Sequence, residues 1–374
     1  MDVRNIKILK AGKIVILMES TYFCCMELDE IFMNRSIQLA GKGLGFTRPN
    51  PSVGCVAVYD GRIIGEGFTS PYGGSHAEVN AINSVKDKSL LEKATLYVTL
   101  EPCSHFGKTP PCADYIIKHK IPKVVIGCVD THSVVAGKGI ERLISKGVDV
   151  VVGVLEDKCW EQHKRFFTVQ NKNRPYVILK WAQTQDGFVA PKHKDTNRPV
   201  WISNAISRQL VHKWRSEEHA ILVGTNTALS DNPKLDVRSW GGESPVRIVL
   251  DRTLRVPKEN NLLDRSIKTI VCTSVSDDLL PTSDELLLYE QLNFENDVAK
   301  QLCAILMKHQ IQSVIIEGGT QTLNSFIEEK VWDEARVFYG ENKFHEGVKA
   351  PVLSVSSGVV SDLKGTVLKV FKNL

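Results

Sequence analysis

The stretch Gly74-Ser75-His76-Ala77-Glu78, followed by Glu101-Pro102-Cys103 and then by Cys112, decides the fold of the first half of this chain. One imidazole and two thiolates can hold Zn²⁺ and leave a fourth position open for water, and a carboxylate stands beside the first ligand. This layout is typical of a hydrolytic deaminase. The sequence therefore predicts the metal ligands His76, Cys103 and Cys112, with Glu78 as the catalytic acid and base.

The order of these residues also predicts local structure. In a regular helix, His76 and Glu78 would point about 200° apart, so they can face one metal only at a helix start. Ser75 and Glu78 match a capping box, which places the helix start there. We expect both thiols to lie where a strand ends or a helix begins, with pKa values lowered by the helix dipole. Any one of these residues alone would be interpreted as an ordinary core side chain.

Length and composition indicate a soluble protein of two domains. At 374 residues the chain exceeds the size at which a single hydrophobic core stops growing. The hydrophobic share of 43% and the charged share of 24% are ordinary for globular proteins. The net charge is only +4 and no basic run is interleaved with aromatic residues, so we expect small anionic ligands and no nucleic-acid partner.

Cysteine usage and the N-terminus bear on the compartment. Nine irregularly spaced cysteines, two of them in the metal motif, indicate a reducing, cytoplasmic environment rather than a disulfide framework. No segment approaches the about 20 apolar residues needed to cross a bilayer, so no membrane partner is expected. The first residues superficially resemble a signal peptide, but the apolar run is too short and lacks a clean cleavage site. Residues 1–27 are therefore interpreted as an extension without function.

The hydrophobic pattern of the first half predicts alternating strands and helices, as in an α/β layer. Asp60-Gly61 predicts a hairpin, and Asp29 is the expected N-cap of a helix over 28–41. Strands are predicted over 53–59, 62–67, 94–100, 124–128 and 148–152, and further helices over 75–85, 112–118, 139–146 and 157–170. A polar stretch ending in Arg174-Pro175 predicts a domain boundary at 173/174.

The second half is again α/β, with no zinc motif, P-loop or G-x-G-x-x-G fingerprint. Strands are predicted over 176–181, 220–224, 246–250, 267–272 and 314–317, and helices over 208–216 and 299–309. At Gly318-Gly319 a strand runs into a helix, which exposes backbone N–H groups and suits a phosphate or pyrophosphate. A glycine pair after a strand is also a common plain turn, so local physics leaves both interpretations open.

The long spacer between Cys103 and Cys112 distinguishes this chain from most other zinc deaminases. Cytidine and nucleic-acid deaminases usually place their two cysteines close together, as P-C-x-x-C. With Arg48-Pro49-Asn50-Pro51-Ser52-Val53-Gly54 and Ala136-Gly137-Lys138-Gly139, the spacer resembles the bifunctional riboflavin-biosynthesis deaminase/reductases, from about Met33 to the C-terminus. The resemblance implies a cytidine-deaminase-like three-layer domain over 28–173 and a dihydrofolate-reductase-like α/β domain over 174–374. It implies one Zn²⁺ per chain and NADPH as cofactors.

The same resemblance implies roles for individual residues. The deaminase residues expected to hold substrate are Asn50, His105 and Asp130. The expected NADPH contacts are Ala182, Trp201, Thr227, Asp231, Gly319, Thr320, Gln321, Thr322, Leu323, Asn324 and Ser325. The expected substrate contacts of the reductase are Arg215, Leu235, Arg238 and Glu317. The two arginines suit a ribose phosphate because each presents bidentate donors. Lys180 and Glu317 are the candidates for proton delivery, although Lys180 could instead be an outward-facing strand residue.

The implied activity is deamination of 2,5-diamino-6-(5-phosphoribosylamino)pyrimidin-4(3H)-one and then NADPH-dependent reduction of its ribosyl group to ribityl, in a homo-oligomer (dimer or tetramer). Two positions depart from the family pattern: His132 replaces an asparagine, and Pro199 replaces a serine. Both put substrate placement in question. The alternative is a nucleic-acid or nucleoside deaminase fused to an unrelated α/β domain, for which a short cysteine spacing and a basic stacking surface would be expected. A noncatalytic zinc module would not need Glu78.

Overall fold

A computed structural model describes residues 16–104, 110–131, 136–193, 200–355 and 357–373, with side chains from residue 28 onward. The chain clusters into two compact units. The first comprises the chain up to Lys42 together with Val53–Gln162, and the second comprises Gly43–Ser52 together with His163–Leu374. The expected functional boundary at 173/174 stays a prediction.

The first unit is built on a five-stranded sheet of order β2-β1-β3-β4-β5. Its elements in chain order are α1 (Ile16–Gly43), β1 (Gly54–Tyr59), β2 (Arg62–Phe68), α2 (Ala77–Ser84), β3 (Thr95–Leu100), α3 (Cys112–Lys118), β4 (Lys123–Cys128), α4 (Lys138–Ile144), β5 (Asp149–Val152) and α5 (Glu156–Lys172), the last of which continues into the second unit. Strand β1 pairs antiparallel with β2 and β3, whereas β3, β4 and β5 run parallel.

Helices cover both faces of this sheet. A Cβ on Gly54 would lie 1.9 Å from the Ser36 carbonyl oxygen of α1. A Cβ on Gly67, which pairs with Cys55, would lie 2.3 Å from the Ala81 nitrogen of α2. Successive strand residues face opposite sides, so α1 and α2 pack on opposite faces of β1 and β2. The predicted three-layer arrangement is confirmed, and the glycines let α2 lie directly on the sheet.

The expected start of α1 and the expected capping interaction of α2 are wrong. Helix α1 already begins at Ile16, and Asp29 lies inside it, where its carboxylate accepts a hydrogen bond from the Tyr97 hydroxyl at 2.6 Å. Helix α2 has His76 as its N-cap and no side-chain cap, so the capping box at Ser75 does not form. Instead, the Asn80 side chain donates to the Phe68 and Ser75 carbonyls and holds the chain that enters the helix.

The second unit is built on a nine-stranded sheet of order β11-β10-β9-β8-β12-β6-β13-β16-β15, with a two-stranded sheet β14-β7 beside it. Its strands are β6 (Tyr176–Gln183), β7 (Phe188–Pro191), β8 (Ala220–Gly224), β9 (Val246–Leu250), β10 (Thr269–Thr273), β11 (Leu287–Gln291), β12 (Ser313–Ile316), β13 (Glu334–Tyr339), β14 (Gly347–Lys349), β15 (Gly358–Asp362) and β16 (Val367–Lys372). Its further helices are α6 (Ala205–Glu217), α7 (Thr225–Asp231), α8 (Val298–Lys308) and α9 (Thr320–Glu328).

Alternate residues of the central strand β6 enter two separate core clusters. Val177 and Leu179 belong to one cluster, and Tyr176 and Ile178 belong to the other, as expected for a sheet covered on both faces. The seven strands from β11 to β13 run parallel, and β16 and β15 add antiparallel pairs at one edge. The carboxyl ends of the parallel strands therefore share one edge, where α/β proteins place their ligands.

Candidate metal centre and cofactor-binding residues

Three elements bring the predicted metal ligands together. His76 directly precedes α2, Cys103 follows the end of β3, and Cys112 is the first residue of α3. His76 Nδ1 lies 3.7 Å from Cys103 Sγ and 3.2 Å from Cys112 Sγ, and the three ligand atoms all lie within 4.8 Å of one another. Zn–S bonds of about 2.3 Å and Zn–N bonds of about 2.0 Å give tetrahedral N···S edges of roughly 3.5 Å. The donor set thus fits zinc in chemistry and spacing.

The backbone at His76 explains how His76 and Glu78 can serve one site. His76 has φ −73° and ψ 166°, which is extended rather than helical, so the expected position at a helix start is confirmed. Glu78 lies in the first turn of α2 with only 4% of its surface exposed. Burial, with the adjoining Cys103 thiolate, raises the pKa of Glu78 to about 7.

The two thiols differ, which corrects the expectation that both have lowered pKa values. The Cys112 side chain hydrogen-bonds Cys103, and the Cys112 backbone N–H donates to Cys103 Sγ at 3.3 Å. These bonds, together with His76, lower the pKa of Cys103 to about 4. The pKa of Cys112 is raised because its thiol is the donor to Cys103 and is buried. In this arrangement the helix start of α3 acts on Cys103 through its first N–H.

The expected substrate residues of the deaminase are only partly described. Asp130 is buried, and its backbone N–H donates to Glu101 Oε2 at 3.3 Å. Asn50 lies in the 43–52 segment, which clusters with the second unit, and its N–H donates to the Thr47 carbonyl at 2.9 Å. His105, His132 and Pro199 lie outside the described residues. The substrate roles of Asn50, His105 and Asp130 stay predictions.

In the second unit, Glu317 lies between two cations just after β12. Its Oε2 accepts a hydrogen bond from Arg215 at 2.8 Å, and its Oε1 lies 3.8 Å from Lys180 Nζ. Although burial opposes ionisation, Arg215 and Lys180 hold the pKa of Glu317 at about 2. Burial lowers the pKa of Lys180, against the attraction of Glu317. Glu317 Oε1 and Arg215 Nε are buried without hydrogen-bond partners among the described residues, as expected of a site that receives a polar ligand.

The two arginines that were predicted to bind the ribose phosphate, Arg215 and Arg238, both contact Asp236. Arg215 Nη1 donates to the Asp236 carbonyl at 3.2 Å, and Arg238 Nη1 pairs with the Asp236 carboxylate. His212 Nδ1 lies 3.0 Å from the same carbonyl oxygen. Leu235, which directly precedes Asp236, has φ +51° and packs its side chain into the core. Sequence reasoning missed His212, although its spacing of three residues from Arg215 on a predicted helix could have indicated it.

Glycines allow two loops to meet at the carboxyl ends of neighbouring strands. A Cβ on Gly318, after β12, would lie 3.0 Å from Thr227 Oγ1 of α7, and a Cβ on Gly224, at the end of β8, would lie 2.8 Å from Thr322 Oγ1 of α9. Gly319 has φ +63° and is the N-cap of α9, with no side-chain cap. The first N–H groups of α9 therefore lack a side-chain acceptor, and this cradle suits an anionic cofactor group.

The other expected NADPH residues lie on several different elements of the second unit. Ala182 lies on β6, and Asp231 is the last residue of α7. Trp201 is half-exposed and stacks with Arg208, whose Cζ lies 4.7 Å from the ring centroid. Thr320, Gln321, Asn324 and Ser325 lie on α9, as does Leu323, whose side chain is buried in the core. Their cofactor contacts stay predictions.

A zinc-type deaminase centre joined to an α/β unit with a cradle for an anionic cofactor defines a class: a deaminase coupled to a nucleotide-dependent reductase. Comparisons with known families agree in both halves. Residues 26–128 match the model of the cytidine and deoxycytidylate deaminase zinc-binding region, and residues 175–340 match that of the RibD C-terminal domain. The second match shows that the alternative of an unrelated second domain is wrong.

Relatives match nearly the whole chain. The riboflavin biosynthesis protein RibD of Aquifex aeolicus is 40% identical over 88% of this chain and 92% of its own length. The crystal structure of a diaminohydroxyphosphoribosylaminopyrimidine deaminase/5-amino-6-(5-phosphoribosylamino)uracil reductase from Thermotoga maritima is 36% identical, with a TM-score of 0.84, over 93% of this chain and 99% of that one. Acinetobacter baumannii RibD is 30% identical, with a TM-score of 0.79 and the same two coverages. The chain belongs to the RibD family of riboflavin biosynthesis. Its cofactors are zinc in the deaminase domain and NADPH in the reductase domain.

Proposed function

We propose that the first unit removes an amine from 2,5-diamino-6-(5-phosphoribosylamino)pyrimidin-4(3H)-one and that the second reduces the ribosyl group of the product to ribityl. The observation that carries the proposal is the cluster of His76, Cys103 and Cys112 with the buried Glu78 at the start of α2. A zinc module with only a structural role has no need of a carboxylate held there.

In the deaminase, His76, Cys103 and Cys112 would hold the metal, which when bound supplies Lewis acidity and lowers the pKa of water in its open position to about 7. Glu78 takes one proton from the attacking water and passes it to the ring nitrogen, and it then takes the second proton from the new hydroxyl group and passes it to the departing amine. The water oxygen first adds to the carbon, and the C–N bond to the protonated amine then breaks as the carbonyl forms, so that ammonia leaves. Because Glu78 is buried, few bulk waters compete for its protons.

In the reductase, NADPH supplies the hydride that reaches the ribosyl C1, and a proton must arrive nearby. Lys180 is the proposed proton donor, since it is buried and its ammonium group faces the carboxylate of Glu317. Glu317 stays ionised and holds both Lys180 and Arg215 in place. Arg215 and Arg238 bind the ribose phosphate. The N-terminus of α9 and the glycine turns before it receive the phosphates of the cofactor.

The direct test is to incubate the purified protein with the diaminopyrimidine phosphate, with and without NADPH, and to weigh the products by mass spectrometry. Without NADPH, the product should have exchanged one amine for an oxygen. With NADPH, it should also have gained two hydrogens. Recovery of unchanged substrate from zinc-loaded protein would contradict the deaminase assignment. A deaminated product that NADPH leaves unchanged would contradict the reductase assignment.

We further propose that the chain works as a cytoplasmic homo-oligomer, a dimer or a tetramer, with functional domains that meet at 173/174. The irregular cysteine usage supports the compartment, and the polar stretch before Pro175 supports the boundary. Within the described ranges, no helix is both long and apolar enough to cross a bilayer. Light scattering coupled to size-exclusion chromatography measures the oligomer, and a monomeric mass would contradict this part of the proposal.

A further inference from the structure

The Glu101 carboxylate, two residues before the ligand Cys103, accepts four backbone hydrogen bonds. Oε2 accepts from the N–H groups of Asp130 at 3.3 Å and Gly137 at 3.0 Å. Oε1 accepts from Gly139 at 2.8 Å and Ile140 at 3.4 Å. Only 4% of the Glu101 surface is exposed. One side chain thus binds the backbone of Asp130, of Gly137 and of the first turn of α4.

Only an ionised carboxylate can make this set of bonds. Its two oxygens offer about four lone-pair sites and no donor, whereas an amide presents one acceptor and an NH₂ group that would face other N–H donors. The groups that stabilise the ionised form of Glu101 are the backbone N–H groups of Gly137, Gly139, Ile140 and Asp130. Burial raises the pKa of Glu101, and these backbone N–H groups oppose that rise, since hydrogen bonds to a charged acceptor are about twice as strong as neutral ones.

Further contacts of Glu101 and Pro102 connect the ligand Cys103 to Asp130, which is expected to hold substrate. The Glu101 N–H donates to the Cys128 carbonyl at 3.0 Å, which joins the ends of β3 and β4. A Cβ on Gly139 would lie 2.0 Å from the Pro102 carbonyl oxygen, so the first turn of α4 packs directly on the residue before Cys103. A displacement of Asp130 relative to Cys103 must therefore break bonds to Glu101.

We propose that Glu101 is a positioning residue of the deaminase: its carboxylate fixes Asp130 and the first turn of α4 relative to the metal ligands and so sets the placement of the pyrimidine. This inference rests on the proposed deaminase function and on the expected contact of Asp130 with substrate. It assigns no chemical step to Glu101, which acts through the residues it holds. Its loss should therefore impair substrate binding more than the chemistry itself.

The test is Glu101→Gln in the full chain, assayed for ammonia release from the diaminopyrimidine phosphate. We expect KM for deamination to rise on the order of ten- to a hundredfold, since small misplacements of positioning groups have effects of this size. The zinc content and the NADPH-dependent reduction of the deaminated pyrimidine should match those of the wild type. The control is Glu66→Gln, which removes a carboxylate of the same unit that pairs with the Arg35 side chain, and it should leave KM unchanged.

Gly139→Ala keeps the carboxylate but pushes the first turn of α4 away from Pro102, and it should raise KM in the same way. If Glu101→Gln does not fold, the KM of Gly139→Ala tests the inference in its place. An unchanged KM in a folded, zinc-loaded variant would overturn the inference, whatever happens to its melting temperature. Loss of zinc would also overturn it, because Glu101 would then support the ligand sphere instead. A wild-type protein that releases no ammonia would refute the deaminase assignment first.

Discussion

Lys180 Nζ lies 3.8 Å from Glu317 Oε1, beyond hydrogen-bond distance, while the other oxygen of that carboxylate is bound by Arg215 at 2.8 Å. The ammonium group of Lys180 is therefore attracted by the Glu317 carboxylate but does not form a hydrogen bond with it. A donor held in this way can turn to a ligand that enters the site. The alternative interpretation of Lys180 as an outward-facing strand residue does not hold, because only 17% of its side chain is exposed and its ammonium group lies over the Phe338 ring.

Lys180→Met should abolish most of the reductase activity and leave deamination intact. Methionine keeps an unbranched apolar chain against Phe338 but removes the proton donor, and positioned proton donors contribute about 10²- to 10⁴-fold. NADPH oxidation, started with the deaminated pyrimidine, measures the effect, and ammonia release serves as the internal control. Lys192→Met, at an exposed lysine paired with Glu346, should behave as the wild type. Wild-type reduction by Lys180→Met would rule out Lys180 as the donor.

Arg238→Gln should weaken the binding of the phosphorylated substrate to the reductase. A charge-assisted hydrogen bond is worth about 1.5–3 kcal/mol, so KM should rise about ten- to a hundredfold with little change in kcat. The matched control is Arg252→Gln. Arg252 is exposed to nearly the same degree, 55% against 53%, and it also pairs with a carboxylate. If both variants show equal KM values, the phosphate assignment of Arg238 is wrong.

Gly318→Ala should weaken NADPH binding. The added Cβ would lie 3.0 Å from Thr227 Oγ1 and 3.1 Å from Val223 Cγ1, so the loop after β12 must move away from α7. We expect the Kd for NADPH, measured by fluorescence titration, to rise about tenfold, which corresponds to roughly 1.4 kcal/mol. Gly241→Ala, where a Cβ meets nothing within 4 Å, is the control. An unchanged Kd in Gly318→Ala would separate this loop from the cofactor site.

His219 should make the second unit less stable as the pH falls below about 6.5. Burial, with the charges of Arg48 and Lys268, lowers its pKa to about 3, and Gln312 N–H donates to its Nδ1. His219 of the unfolded chain therefore binds a proton as the pH falls through about 6.5, whereas His219 of the folded chain stays neutral there. The free energy of unfolding keeps its full His219 contribution above that pH. By pH 5 the loss reaches about 2 kcal/mol, at 1.36 kcal/mol for each pH unit.

His219→Asn keeps an acceptor for Gln312 but cannot titrate. Denaturant unfolding at pH 7 and pH 5 should show a loss of stability in the wild type that is smaller in this variant by about 2 kcal/mol. Between these pH values, Glu218 is ionised in the folded chain, where its pKa is about 2, and mostly ionised in the unfolded chain, where the pKa of glutamate is about 4.3. Equal pH dependence of the two proteins would contradict the assignment to His219.

The sequence predicts those features that depend on residues close together in the chain better than those that depend on distant partners. The metal ligands and the hairpin at Asp60-Gly61 follow from short spacing, and the structure has them where they were expected. Strand β13 was missed because charged residues are mostly exposed, whereas its Glu334 and Arg336 are both buried in the structure. Glu334 forms an ion pair with Lys164, which lies 170 positions earlier in the chain. The same holds for Glu101, whose partners at 130–140 are brought to it only by the parallel pairing of β3 and β4.

The central claim is that His76, Cys103 and Cys112 hold a catalytic zinc ion whose proton transfers depend on Glu78. The most direct test measures zinc by elemental analysis and ammonia release on one sample of Glu78→Gln. The account predicts about one zinc per chain, deamination reduced by about 10²- to 10⁴-fold, and unchanged reduction of the deaminated pyrimidine. Full deaminase activity in this variant, or wild-type protein that binds no zinc, would contradict the account.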